Sequence, residues 1–262
     1  MATLRSIMVP GAAIARVYKS GGIPGGFPQT PEDTLPYDEE FIINYEAGFK
    51  TEWLGKRLTL NGSVFYYDHD DIQAYAVVPS TLTPGQFAYR LTNVGDGYNV
   101  GGELEVVMQP DEHFRFGASL GYLKTRIDSS NLSTFTQEGL EIPFEGLEDL
   151  DYAPEWSGNL FASYQWNVTA DISGKVGMDY NVRTDIKEGR SPVDRALLSI
   201  DGYGFANARI SLDSVSGWNA SIWSKNFFDE GYVTDADFDG VGDYYYAYGE
   251  ARSFGLSLGY SW

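Results

Sequence analysis

Strict alternation of apolar with small or polar residues, repeated in segment after segment, constrains this 262-residue chain more than any other feature. The final stretch "RSFGLSLGYSW" (252–262) shows it plainly: Phe254, Leu256, Leu258, Tyr260 and Trp262 alternate with Ser or Gly. Successive side chains on a strand point to opposite faces, so a period of two gathers each set on one face of a sheet. Residues 42–53 repeat the pattern, with Ile43, Tyr45, Ala47, Phe49 and Trp53 opposite Asn44, Glu46, Gly48, Lys50 and Glu52. So do residues 57–68, 98–109, 113–124, 156–166 and 170–183, and less cleanly 203–212 and 218–228. Residues 12–19 read as a further strand and bring the total to ten. The same N-terminal stretch offers Ala13-Ile14-Ala15 as a leader-like cleavage site, but Pro10 interrupts its apolar run, and removing it would leave an odd strand count.

The connections alternate in length. Short polar turns fall at 54–56, 110–112, 167–169 and 214–217, and long segments at 20–40, 69–97, 127–154, 184–202 and 229–249. That rhythm belongs to an up-and-down meander whose two ends face different surroundings, as in transmembrane barrels with tight periplasmic turns and long extracellular loops. In a soluble sandwich the apolar face meets a second sheet, and large aromatics gain nothing from lying at strand ends. Here Trp53, Trp166, Trp218 and Trp262 all fall at strand ends beside the short turns or at the C-terminus, where a membrane barrel carries an aromatic girdle. The expected fold is all-β: an antiparallel up-and-down transmembrane β-barrel segment of about ten strands, a partial barrel with its apolar face toward outer-membrane lipid.

Charge removes one class of partner. A net charge of -19, with 37 acidic against 18 basic residues, leaves no clustered cations for phosphates, so no nucleic acid is expected to bind. No run reaches the roughly 18–20 apolar residues of a spanning helix, which speaks only against helical spans. The chain has no Cys, no G-x-S-x-G motif and only His69 and His113 as histidines, so an enzyme is not expected. The glycines of "GDGYNVGG" (95–102) lack the strand-then-helix setting of a phosphate loop.

Six stretches in order resemble successive barrel segments of TonB-dependent outer-membrane receptors: "YEAGFK" (45–50), "LNGSVFYYDHDDIQ" (60–73), "NVGGELEV" (99–106), "APEWSGNLFASYQW" (153–166), "KNFFDEGYV" (225–233) and "ARSFGLSLGYSW" (251–262). "ARVYKSGGIPGGF" (15–27) is similar to an earlier strand and its loop. The resemblance implies a Gram-negative outer-membrane location and energised uptake of a scarce small-molecule ligand such as a siderophore–iron complex. It also implies that Trp262 is the recognition signal for the barrel-insertion machinery. Such receptors carry a signal peptide, a TonB-contacting motif and a plug domain before a barrel of 22 strands. The resemblance therefore makes residues 1–262 the C-terminal portion of a barrel, with plug and signal peptide absent and TonB reached only through the missing N-terminal part. The alternative is a stand-alone small barrel serving as a passive pore, an adhesin or a structural protein, since ten strands can close.

Several local patterns carry chemistry. In "DADFDGVGD", Asp235, Asp237 and Asp239, followed by Gly240 and Asp243, match the early spacing of a calcium loop, although Tyr246 stands where the bidentate Glu would be. The other reading is an acidic, solvated extracellular loop. Tyr244, Tyr245, Tyr246 and Tyr248 follow, aromatic surfaces for a ligand at the mouth or members of the outer girdle. The acidic run 138–152 offers a site for cationic ligands or divalent ions but reads first as a solvated loop, and His69 beside Asp68, Asp70 and Asp71 offers a metal cluster but reads first as the acidic start of another. Glu103, Glu105, Arg115, Lys175, Asp179 and Arg183 are expected on the inward face, pairing across strands or meeting a plug.

Overall fold

The computed structural model describes residues 7–23, 34–79, 87–128, 133–135, 141–143, 150–187, 198–238 and 244–262. Its strands are β1 (Ile7–Lys19), β2 (Glu40–Trp53), β3 (Leu58–Asp70), β4 (Gln73–Pro79), β5 (Phe87–Asn93), β6 (Gly97–Met108), β7 (Phe114–Ile127) and β8 (Ser133–Phe135). They continue with β9 (Glu141–Pro143), β10 (Trp156–Asn167), β11 (Ile172–Arg183), β12 (Tyr203–Ser214), β13 (Trp218–Lys225), β14 (Val233–Phe238), β15 (Tyr244–Tyr248) and β16 (Ser253–Tyr260). Ten of them form one sheet in the order β1-β2-β3-β6-β7-β10-β11-β12-β13-β16, so each joins its predecessor in an antiparallel meander. The sheet does not close: β1 and β16 each have a single neighbour. The alternating segments of the sequence are these ten strands. Three hairpins, β4–β5, β8–β9 and β14–β15, lie within stretches that the sequence marked only as long loops.

β1 begins at Ile7, earlier than residue 12, and runs straight through Pro10, which stands opposite Phe49. Proline has no N–H for a ladder, so a central strand would lose a bond there; an edge strand keeps its other side free. Pro10 therefore leaves one position of β1 without a donor, which does not prevent the strand from pairing with β2. At the opposite end of the hairpins the turns are tight. Leu54, Gly55 and Lys56 all have positive φ (55°, 69° and 73°), a left-handed run that closes β2 onto β3 in the shortest space. Asp111 closes the turn between β6 and β7 by accepting hydrogen bonds from the backbone N–H of His113 and Phe114, both at 2.8 Å. Those two donors hold its carboxyl below the ordinary 3.8. A depressed carboxyl contributes stability fully above its unfolded value and loses it as pH falls through the folded one. The contribution of Asp111 is thus expected to vanish only below pH 3.8. Acid unfolding of Asp111→Asn should be flatter than wild type in that range, and an unchanged profile would contradict this.

Register separates the two faces. Val64, Gly102, Tyr122 and Trp156 lie in one row across β3, β6, β7 and β10, while Ser63, Glu103, Gly121 and Ser157 lie in the adjacent row on the other face. The apolar face is bare: Leu258 is 75%, Leu256 67%, Ile222 63% and Val64 62% exposed. Among the described residues the buried apolar side chains are Val94, Ile186, Leu198, Ile200, Ala206 and Ala236, and most of these belong to loops and hairpins. Among the described residues no second layer covers the sheet, so its apolar face has no protein partner among them.

The tryptophans give the strand tilt. From Trp53 the cross-strand row passes through Leu58, Met108, Phe116, Ala162, Met178, Ala208 and Ser224 to Phe254. Trp166 lies four residues from this row on β10, Trp218 six on β13, and Trp262 eight from Phe254, just past the end of β16, at four, seven and eight strand steps from β2. The drift is close to one residue per strand, ~3.3 Å along against ~4.8 Å across, which is a tilt of ~35°. All four tryptophans then stand at one level, as the rim of a tilted barrel wall requires. On β10, Trp156 and Trp166 share the apolar face ten residues apart. At that tilt the gap spans ~27 Å, close to the ~25 Å apolar band of an outer-membrane barrel.

Some glycines of this sheet are covered by aromatic rings. A Cβ on Gly117 would stand 2.8 Å from the Phe161 ring of β10, and one on Gly101 2.6 Å from the Phe65 ring of β3. Gly117→Val is expected to destabilise the protein by about 1–3 kcal/mol through overpacking against Phe161. Urea unfolding in detergent tests this; a midpoint that does not move would refute it.

Candidate mouth and polar channel face

The polar face is organised by side-chain amides. Asn159 Nδ2 donates to Asn181 Oδ1 (2.9 Å), Asn181 Nδ2 to Asp179 Oδ2 (2.8 Å), and Asn207 Nδ2 to the same oxygen (2.8 Å). One carboxylate thus joins β11 to β12 directly, and β10 is tied in through Asn181. The chain of bonds continues at Asn226, whose backbone N–H donates to Asn207 Oδ1 at 3.2 Å. Asn226 is 2% exposed and sits at φ 45°. Its Nδ2 donates to the carbonyls of Glu230 (2.7 Å) and Glu250 (3.1 Å), and its Oδ1 accepts from the Glu230 N–H (2.9 Å). Asn tolerates the left-handed region better than most residues, and here its amide also satisfies the loop that β13 leads into. Beyond it, Asp229 accepts from the Arg252 N–H and pairs with its guanidinium at 3.4 Å. Tyr232 stacks on Tyr203 (4.3 Å) and Phe205 (5.3 Å), and burial there pushes its hydroxyl above the ordinary value.

A second knot closes the other side. His69 Nδ1 lies 3.4 Å from Glu40 Oε1 and its Nε2 lies 3.1 Å from Asn99 Nδ2. Gln73 donates its backbone N–H to Glu40 Oε2 (3.0 Å) and its Nε2 to the carbonyls of Lys19, Ser20 and Asp38. His69 is therefore the last inward residue of β3, enclosed by β2 and β6, rather than the exposed start of a loop.

The sequence-expected inward charges do share this face. Asn61 donates to Glu105 (2.8 Å), Arg115 stacks over Phe161 (5.0 Å), Arg183 stacks over Tyr203 (4.4 Å), and Asp179 holds the amides described above. Arg115, Lys175, Asp179 and Arg209 line a groove of about 820 Å³ across β7 to β13. Glu103 and Glu105 line another of about 1150 Å³ across β1 to β11. Both grooves therefore carry charges of both signs, with Lys50 beside Glu46, Glu103 and Glu105 in the second.

At the loop end, the β14–β15 hairpin docks on a small cluster of Ile186, Leu198, Ile200 and Ala236, against which Val233 and Tyr244 pack. Register puts Ala236 and Tyr246 opposite one another on the docked side, and Asp237 opposite Tyr245 on the other. Tyr245, Tyr246 and Tyr248 are 57%, 45% and 75% exposed, while Tyr244 is half-buried. Asp235 accepts a hydrogen bond from the Tyr152 hydroxyl at 2.8 Å, tying the hairpin to the segment before β10. Asp235 and Asp237 are strand residues of β14; Asp239 and Asp243 lie outside the described residues, as does most of the acidic run 138–152. Among the described residues no three His, Asp or Glu side chains are arranged to hold a metal ion. Trp53 and Trp262 are 41% and 104% exposed at the turn end, and Trp166 and Trp218 are half-buried there.

An open ten-stranded antiparallel meander, apolar on one face, polar on the other, with tight turns at one end and folded hairpins at the other, is the wall of a β-barrel. Residues 9–227 match the family model described as TonB dependent receptor-like, beta-barrel. The chain belongs to that family. Its backbone is similar to the ferric yersiniabactin uptake receptor of Yersinia pestis, with TM-score 0.74, 18% identity, and coverage of 96% of this chain and 34% of the receptor. A siderophore receptor of Acinetobacter baumannii gives 0.71 and 17%, over 96% of this chain and 33% of that one. A copper transporter gives 0.67 and 16%, over 97% and 38%. The chain spans about a third of the length of these proteins.

The Asn226 and Gln73 knots were not singled out from sequence. Both asparagine and glutamine lie inside the resembling stretches "KNFFDEGYV" and "LNGSVFYYDHDDIQ", which was the only signal available.

Proposed function

We propose that this chain forms part of the barrel wall of an outer-membrane receptor that takes up a scarce metal-bearing ligand, a siderophore–iron complex being the first candidate. The observation that carries this reading is the match of the family model over residues 9–227, on a sheet whose polar face is charged and whose loop end is built up. Unpaired strand edges in hydrocarbon require neighbouring strands, and in this reading the rest of a longer receptor supplies them to β1 and β16. The girdle role of Trp53, Trp166, Trp218 and Trp262 rests on their common level, and Trp262 serves as the insertion signal; normal assembly of Trp262→Ala would remove the latter role. A calcium ion at Asp235, Asp237, Asp239 and Asp243 belongs to the same reading, and calorimetry that gives equal calcium uptake by wild type and Asp237→Asn would end it. The uptake claim is tested in cells lacking the gene, supplied with radioactive iron as single ferric chelates under iron limitation. Uptake of at least one chelate should fall, and should depend on the proton-motive force. Uptake indifferent to that force would favour a passive pore instead.

A further inference from the structure

Three neighbouring cations on the polar face lack partners. The side chains of Arg115, Lys175 and Arg209 are exposed and make no hydrogen bond or ion pair among the described residues; Arg115 alone has a ring contact, with Phe161. The other cations of that face are placed differently. Lys225 pairs with Glu250 at 3.0 Å, Arg183 lies on Tyr203 and donates to the Thr184 carbonyl, Lys50 stands among Glu46, Glu103 and Glu105, and Lys19 stands opposite Glu40. Arg115, Lys175 and Arg209 instead border the groove of about 820 Å³. Cations outnumber carboxylates there, Arg115, Lys175, Arg209 and Lys225 against Asp179 and Asp213, in a chain with 37 acidic and 18 basic residues. Of those two carboxylates, Asp179 already accepts the amides of Asn181 and Asn207, and Asp213 lies further along β12, opposite Asn219.

Register gives the groove its shape. Arg115, Ser163, Gly177 and Arg209 stand in one row across β7, β10, β11 and β12, so two arginines three strand steps apart, ~14 Å, flank a floor of one hydroxymethyl group and one hydrogen. A Cβ on Gly177 would meet nothing closer than Ser163 at 3.5 Å, so the floor has room above it. Phe161 and Trp223 add aromatic walls. Lys175 stands in the next row on the same face, which it shares with Ser211 and Ser221. The Ser221 hydroxyl, 4% exposed, has no hydrogen-bond partner among the described residues and leaves an unmet donor in that row. A drift of one residue per strand puts the tryptophan rim at His113 on β7, Ser173 on β11 and Ser214 on β12. Arg115 and Lys175 are two residues from that rim and Arg209 five, where Trp156 and Trp166 are ten apart. None of the three is more than halfway up the wall, and the loop-end tyrosines are at its other end.

We propose that this groove binds a small polyanion carrying two or more carboxylate or phosphate groups. A guanidinium fork pairs with either group through two parallel hydrogen bonds, and a lysine ammonium adds a point charge to two such forks. Charge complementarity chooses the occupant, because three neighbouring cations without a carboxylate partner line one concave surface of an otherwise acidic chain. The inference deepens the uptake reading, and rests on it, in one respect: the ligand that passes this wall carries negative charge, and it meets the groove after leaving the loops.

The protein purified from outer membranes in mild detergent is titrated by calorimetry with citrate, with the uncharged trimethyl ester of citrate, and with pyrophosphate. Wild type should hold at least one of the two anions on the order of tenfold more tightly than the ester. Arg115→Gln and Arg209→Gln should each weaken that anion on the order of tenfold, the effect of losing one charge-assisted pair, and Arg209→Lys should lose less. Lys50→Gln, in the other groove, should change affinity by less than about twofold, since exposed charges that far away are screened. Each variant is titrated at a temperature where its β signal is intact, which separates lost binding from lost folding. Citrate binding identifies a carboxylate-bearing ligand, and pyrophosphate binding without citrate identifies a phosphate. An ester bound as tightly as the better anion, a loss in Lys50→Gln that matches the loss in Arg209→Gln, or no anion bound by wild type would overturn the proposal; the last result would make an acidic protein surface the occupant. Because the readout is equilibrium binding, failure of the uptake reading leaves the site standing, and failure of the site leaves uptake of uncharged or cationic chelates standing.

Discussion

Asn226→Ala is expected to destabilise the loop end of the sheet by about 3–5 kcal/mol, the cost of leaving several buried backbone groups unpaired. The amide side chain answers Glu230 twice and Glu250 once, while the backbone of the same residue is bonded to Asn207. Alanine would lose those bonds and would also hold φ 45° less comfortably than asparagine. Asn226→Gly separates the two causes, since glycine adopts that φ freely and still lacks the amide. Nearly the full loss in the glycine variant assigns the effect to hydrogen bonding. Thermal unfolding in detergent, read by the loss of β signal, checks both variants, and a shift below about 1 kcal/mol in alanine would mean that water replaces the amide easily.

The second large effect concerns sidedness. Ile210 is 55% exposed near the middle of β12, and its chain neighbour Arg209 points to the polar groove. Arginine at a lipid-facing position near the bilayer midplane costs about 2–4 kcal/mol, so Ile210→Arg should destabilise the folded protein in liposomes by that amount. Arg209→Gln, one residue away, should cost far less, because that side chain faces the polar side whichever polar group it carries. The contrast rests on a period of two. If the two substitutions cost the same, the faces have been assigned wrongly.

How much of this was legible in the sequence follows from what each pattern depends on. The alternation of 252–262 is intrinsic to one strand, and it reappears intact in β16. The rim of tryptophans was legible as a position near turns, but the level that they share needed the register between strands. The start of β1 was not legible, because the alternation suggested residue 12 whereas the pairing with β2 begins at Ile7 and includes Pro10 opposite Phe49. The spacing of Asp235 and Asp237 is ambiguous for a physical reason: alternate positions converge on an ion in a calcium loop and also share one face of a strand. In the structure they lie on β14, and Asp235 is engaged by Tyr152, which is 83 residues distant. His69 looked like the start of a loop because its neighbours are aspartates, yet Glu40 and Asn99 enclose it from strands far along the chain. Asn226 is the clearest case. Nothing local marks it, since its partners lie four, nineteen and twenty-four residues away.

The central claim is that one face of this sheet meets lipid and the other does not. The chain has no cysteine, so single cysteines can be placed at each position from 253 to 260 and spin-labelled in the protein reconstituted into liposomes. The expected result is an oscillation of period two, with labels at 254, 256, 258 and 260 relaxed by oxygen dissolved in lipid and those between them not. Uniform accessibility along the strand, or an oscillation of the opposite phase, would contradict it.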